Sequence, residues 1–172
     1  MIYLILDVHY KESQETEAIT ATVAGIRFEG IEQSRILSEY TKEVNEVAPY
    51  ESGQFYKREM PCLLALINQI DKPFDVIIID GYVFLDGVSK AGLGKYLYDN
   101  LANKKPIIGI AKNYFYDIPE DYAVWRGISK HPLYVTSTGI ETIKAKDTVS
   151  RMDGDHRMPK MVTYVDKLGR VT

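Results

Sequence analysis

Two short apolar runs in this 172-residue chain each lead into an aspartate: Ile2-Tyr-Leu-Ile-Leu precedes Asp7, and Val76-Ile-Ile-Ile precedes Asp80. A carboxylate ending a buried strand sits at the rim of its sheet, and two on neighbouring strands would face one small volume. Like charges that close drive each other's pKa apart unless a cation neutralises them. The chemistry suited to the pair is a hard divalent metal bound through oxygen, Mg²⁺ or Mn²⁺. Each aspartate alone reads equally as the first residue of a turn. Glu59, within Lys57-Arg-Glu-Met-Pro61, stands at a helix entrance, where a carboxylate also simply answers the helix dipole. Asp166, within Tyr164-Val-Asp-Lys167, suits a solvated helix face as well as a cation. The four acids become informative only together.

The elements that must position them follow from the hydrophobic pattern. Residues 2–8 form a continuous apolar run with β-branched members, which predicts a buried strand ending on the carboxylate. Residues 18–28 and 36–47 alternate apolar and polar types and predict two antiparallel partners. Turn formers at Pro49-Tyr-Glu-Ser-Gly53 interrupt that pattern, and Leu63, Leu64, Ile67 and Ile70 then predict a helix over 58–70. In the second half, a strand over 75–80, a helix over 92–101 and a strand over 105–111 make a β-α-β unit. A short strand at 133–136, a helix-like stretch at 140–152 and a terminal helix at 160–168 complete the chain. This is an α/β architecture with mixed strand directions, and with no repeat or linker the expectation is one domain over 1–172.

Composition narrows the class. With 45% hydrophobic and 26% charged residues and a formal net charge of −3, the chain is a globular rather than a disordered polymer. Its apolar runs fall short of the roughly 18 residues a membrane helix needs. The apolar start lacks a basic leader region and a small-residue cleavage site. A single cysteine, Cys62, excludes an internal disulfide framework, and three scattered histidines exclude a Cys/His zinc module. A reducing, cytoplasmic setting is the expectation. The pI of about 5.7 means that any site for a polyanion must be local.

Read in order, the motifs resemble those of the endonuclease V family. Asp7-Val-His-Tyr10 resembles its strand-ending Asp-Val-x-Tyr. Pro49-Tyr-Glu-Ser-Gly53 followed by Phe55-Tyr-Lys-Arg-Glu-Met-Pro61 resembles its Tyr-x-Pro-Gly…Phe-Arg-Glu-x-Pro element. Asp80-Gly81, Gly92-Leu-Gly94 and Ile108-Gly-Ile-Ala-Lys112 match three further segments, and Pro132-Leu-Tyr-Val-Thr136 and Arg157-Met-Pro159 match two near the end. The resemblance implies a ribonuclease H-like mixed β-sheet flanked by helices, and a nuclease acting near deaminated adenine in DNA or RNA.

By position, the resemblance implies that Asp7, Glu59 and Asp80 are catalytic carboxylates holding a divalent metal, with Asp166 where the family has an acid or a histidine near it. Lys112 matches a lysine beside the scissile phosphate. Tyr50 matches a wedge tyrosine in the loop that also holds Gly53, and Gly81 and Gly109 match the region receiving a flipped base. Physical chemistry accommodates each role. Two carboxylate-bound Mg²⁺ ions supply a deprotonated water and neutralise pentavalent charge, and an aromatic wedge unstacks a weakened base pair at a cost of a few kcal/mol. Lys112 reads also as a solvent-facing lysine, and Tyr50 as one more of 13 tyrosines.

The chain departs from the family pattern where His-Pro-Arg-Arg usually follows Asp-Gly. Here the run is Tyr82-Val-Phe-Leu-Asp-Gly-Val-Ser-Lys90, without the histidine and both arginines. Fewer phosphate contacts predict weak binding of undamaged duplex and shallow salt dependence. The expected activity is a metal-dependent endonuclease cutting 3′ to inosine in nucleic-acid repair or processing. The alternative is an inosine-binding module of the same fold with weak or no cleavage.

Overall fold

A computed structural model describes the chain apart from residues 17, 46, 48–50, 53, 55 and 172. Three antiparallel strands open it: β1 (Ile2–Glu12), β2 (Ile19–Glu29) and β3 (Arg35–Val44). Helix α1 (Tyr56–Ile67), β4 (Val76–Asp80), α2 (Leu93–Asn100) and β5 (Ile107–Ala111) follow. A 3₁₀ turn (Glu120–Tyr122), β6 (Ala123–Val124), β7 (Leu133–Thr138), α3 (Thr142–Arg151) and α4 (Lys160–Arg170) complete it. The seven-stranded sheet has the order β3-β2-β1-β4-β5-β7-β6, with β1, β4 and β5 parallel and the remaining pairs antiparallel. This is the ribonuclease H-like mixed sheet expected from the sequence.

The central strands are apolar on both faces because helices cover both. Leu4, Leu6, Ile77 and Ile79 pack with Cys62, Leu63 and Leu66 of α1 and Leu97 of α2. Tyr3, Ile5, Ile78, Ile108 and Ile110 pack with Val149 of α3 and with Met161, Val162 and Val165 of α4. The continuous Val/Ile/Leu runs seen in the sequence are the signature of strands buried on both sides. Among the described residues, no helix is long and apolar enough to cross a membrane.

The structure corrects several boundaries. β1 does not end at Asp7 but runs on to Glu12, paired with β2 alone after its parallel pairing with β4 stops at Leu6↔Ile79. Beyond that point Asp7, His9 and Lys11 alternate with Val8 and Tyr10, the period-2 pattern of a strand with one buried face. β3 stops at Val44 rather than 47, and α1 spans Tyr56–Ile67 rather than 58–70. β7 and α4 are each two residues longer than expected, and β6 and the 3₁₀ turn are too short for any hydrophobic period to register.

Candidate active site

The parallel register that pairs Leu6 with Ile79 makes Asp7 and Asp80 the next residues along adjacent strands. Asp80 closes β4, opposite Ile110 of β5, and Lys112 follows the end of β5. Its ammonium lies 3.1 Å from Asp80 Oδ2. Glu59 approaches from the first turn of α1. The carboxyl ends of the central strands thus gather three acids and a lysine at a rim where helices leave room for a ligand.

Electrostatics registers this convergence. Burial pushes the Asp7 carboxyl up to about 6, reinforced by the Asp80 charge and opposed by His9 and the Val8 N–H, which donates to Asp7 Oδ1 at 2.9 Å. Burial pushes Glu59 up to about 8, and both Asp80 and Asp7 add to the effect. Glu59 Oε2 is buried without a hydrogen-bond partner. The adjacent Arg58 does not satisfy it; its guanidinium stacks 3.9 Å from the centroid of the Tyr10 ring. A buried carboxylate oxygen left bare is costly and rare in a native fold. A hard divalent cation would relieve both the missing partner and the mutual repulsion, so the donor set fits such an ion.

His9 is a residue that the sequence pattern did not single out. Two positions beyond Asp7 on one strand, it shares that face of the sheet. Its Nε2 is 3.3 Å from Asp7 Oδ2, 3.3 Å from Asp166 Oδ1 and 3.0 Å from the Asp166 carbonyl. Asp7, His9 and Asp166 each offer one ligand atom within 4.8 Å of the others, a second set able to hold a metal. Burial works to raise Asp166, but Arg170, His9 and Lys112 together hold it below the usual carboxylate range. The usable signal was the Asp-x-His spacing, masked by the expectation that the strand ended at Asp7.

Beside Asp80 opens a cavity of about 560 Å³, lined by Gly81, Tyr82, Lys90, Gly92, Phe115 and the stacked pair Tyr56 and Tyr96, among others. The Tyr56 and Tyr96 rings lie 3.7 Å apart and 14° from parallel. Gly81 has φ +137 with open space at its missing Cβ, so backbone conformation rather than crowding calls for glycine there. Gly109 does not line the cavity. It lies beneath Gly81, whose carbonyl oxygen a Cβ at position 109 would strike. The Tyr82–Lys90 segment folds back on itself: Asp86 Oδ1 accepts from the N–H groups of Val88, Ser89 and Lys90, and Asp86 Oδ2 accepts from the Ser89 hydroxyl. Tyr50 and Gly53 lie outside the described residues.

The endonuclease V family profile matches residues 4–152. The chain belongs to the endonuclease V family. It is accordingly a nuclease, and its fold agrees with solved members of the family. Endonuclease V from Bacillus subtilis superposes with a TM-score of 0.80 at 18% identity, covering 99% of this chain and 79% of that one. The Streptomyces avermitilis endonuclease V gives 0.80 at 21% identity, with 99% and 80% covered. Ciona intestinalis endonuclease V, solved with a 24mer DNA containing an inosine followed by a ribo-adenosine, gives 0.74 at 18% identity, with 99% and 84% covered. No curated protein matches the chain at the sequence level.

Proposed function

We propose that this protein is a metal-dependent endonuclease that hydrolyses a phosphodiester bond 3′ to inosine in DNA or RNA, in nucleic-acid repair or processing. The observation that carries the reading is Glu59: a buried carboxylate with a bare oxygen, pushed up by burial and further by Asp80 and Asp7, the first of which is paired with Lys112. Structural acids are satisfied by the fold, whereas acids held bare and close together are poised for a ligand. The inosine-containing DNA bound by the Ciona relative supports the choice of substrate.

Asp7, Glu59 and Asp80 would hold a divalent cation, Mg²⁺ or Mn²⁺, with Asp166 and His9 at its flank. The chemistry such an ion supplies is activation of water and neutralisation of charge on the phosphoryl oxygens. Lys112 places a point charge where a scissile phosphate would approach Asp80. The cavity beside Gly81 is roomy and aromatic enough to receive an unstacked purine, with Tyr50 and Gly53 in the loop proposed to open the stack. The domain spans the whole chain, and the cytoplasm is its place of action.

The test is nicking of matched oligonucleotides bearing a single inosine, in DNA and RNA forms, with and without Mg²⁺. The expected product is a cut 3′ to the lesion leaving a 3′-hydroxyl and a 5′-phosphate. Tight inosine-dependent binding without cleavage in Mg²⁺, or in Mn²⁺ put in its place, would identify a reader instead of a nuclease.

A further inference from the structure

The loop after β5 reads Lys112-Asn-Tyr-Phe-Tyr-Asp117, and two of its aromatics face solvent, Tyr114 at 64% exposure and Tyr116 at 70%. Neighbours in sequence serve different hollows. Phe115 lines the cavity beside Asp80 and Gly81, whereas Tyr114 lines another of about 340 Å³, shared with Lys112, Tyr134, His131 and Arg157. Lys112 belongs to the second cavity and is ion-paired with Asp80, which belongs to the first. The Lys112–Asp80 pair is therefore the divide between them.

We propose that the Tyr114–Tyr134 cavity is a second nucleobase subsite, which stacks an unpaired base of the strand on the 3′ side of the bond to be cut. The proposal deepens the nuclease reading above and rests on it. A phosphodiester seated at the Lys112–Asp80 divide directs its two flanking nucleosides to opposite sides. The Tyr114 and Tyr134 rings, 5.8 Å apart between centroids and inclined at 60°, give a base one face to stack on and one edge to meet. Among the described residues the lining carries Lys112, His131 and Arg157 and no carboxylate, in a chain whose net charge is −3. That polarity selects an anionic strand over an acid-poor peptide.

The subsite is braced from behind. Arg157 Nε donates to the His131 carbonyl at 3.0 Å, and its Nη2 donates to the carbonyls of Lys112 at 2.5 Å and Pro132 at 2.8 Å, tying the end of β5 to the approach to β7. The Tyr82 hydroxyl donates to the Asn113 carbonyl at 2.6 Å and the Tyr114 hydroxyl to the Tyr116 carbonyl at 3.1 Å. An exposed ring mounted on a braced loop is pre-organised to stack, so little ordering accompanies binding. Stacking here replaces part of the grip that the absent His-Pro-Arg-Arg run would give, and it favours single-stranded or locally open substrates, because a paired base cannot enter.

The test is a double-mutant cycle between protein and strand. Anisotropy of single-stranded oligonucleotides with one inosine is measured in Ca²⁺, with strand integrity checked on gels, while an abasic site is moved stepwise through the 3′ side. The variants are Tyr114→Ala and Tyr114→Phe. At one position the abasic site should weaken wild-type binding about 5- to 150-fold, the range expected of one stacked base. Tyr114→Ala should lose the same factor on the complete strand and nothing more at that abasic position, and Tyr114→Phe, which keeps the ring and gives up only the hydroxyl's bond to the Tyr116 carbonyl, should bind far closer to wild type than to Tyr114→Ala. 2-Aminopurine placed there should be quenched by wild type and not by Tyr114→Ala. Losses that multiply independently at every position, or no loss at all, overturn the subsite. Parallel strands with adenine in place of inosine read the lesion pocket separately: coupling to Tyr114 without inosine preference retains the subsite and refutes the inosine reading.

Discussion

Two charged side chains are buried to almost the same degree and treated in opposite ways. Arg126 is 5% exposed and Glu59 is 7% exposed. Among the described residues no carboxylate hydrogen-bonds Arg126; instead its Nη1 donates to the carbonyls of Val149, Ser150 and Met152, its Nη2 to Gly154 and its Nε to His156 and Arg157. Those acceptors include the last turn of α3, whose unpaired carbonyls and negative dipole end want a cation. Glu59 has a bare Oε2 instead, and the repulsion of Asp80 and Asp7 adds to the cost of its burial while only Arg58 opposes it. The fold completes a buried charge where the purpose is structure and leaves one incomplete where a ligand is to complete it.

The contrast is broken most severely by removing ligands from the incomplete side. Asp7→Ala, Glu59→Gln and Asp80→Ala should each abolish nicking, while the melting temperature without metal stays level or rises because repulsion is relieved. Wild-type nicking by any of them would remove that residue from the catalytic set. Arg126→Met should do the reverse. It strips the guanidinium donor from the carbonyls that end α3 and lead into α4, so denaturant unfolding should show a loss of about 3 kcal/mol or more. Cleavage per folded molecule should fall far less than in the carboxylate variants.

A pH series sharpens the comparison. Asp7 at about 6 and Glu59 at about 8 lie above the ordinary unfolded values near 4, so the folded state without metal holds more protons than the unfolded chain. Its stability should be complete at low pH and decline as pH rises between about 4 and 8, by roughly a few kcal/mol, read as a falling melting temperature. Adding Mg²⁺ should oppose that decline most strongly at the alkaline end, where both carboxylates are free to bind. The smallest effect belongs to His9: His9→Ala should weaken divalent-cation binding about tenfold by calorimetry, the scale of losing one orienting group beside a metal. Unchanged cation affinity would make His9 only a strut between β1 and α4.

Much of this was legible in the residues. The apolar runs before Asp7 and Asp80 specify adjacent buried strands, and the parallel register brings the two acids together. Glu59 was visible through its place at the head of a helix, but its bare oxygen was not, because hydrogen-bond partners depend on packing between layers. Arg126 was invisible: its partners are main-chain carbonyls, which leave no trace in side-chain pattern. His9 was missed because polar residues after Leu6 resemble the end of a strand, whereas β1 continues with only one buried face. The stretch from Asp86 to Lys90, which in sequence looks like a lost basic arm, is a turn that Asp86 closes on its own backbone.

The imidazole of His9 occupies space that α4 leaves by carrying glycine at position 169, where a Cβ would stand 2.5 Å from the ring carbon Cδ2. A glycine there weakens the helix by up to about 1 kcal/mol relative to alanine. The two positions are consequently bound in order of change. Gly169→Ala is harmful while His9 is present and beneficial once His9 has become alanine, so the sign of one substitution depends on whether the other came first.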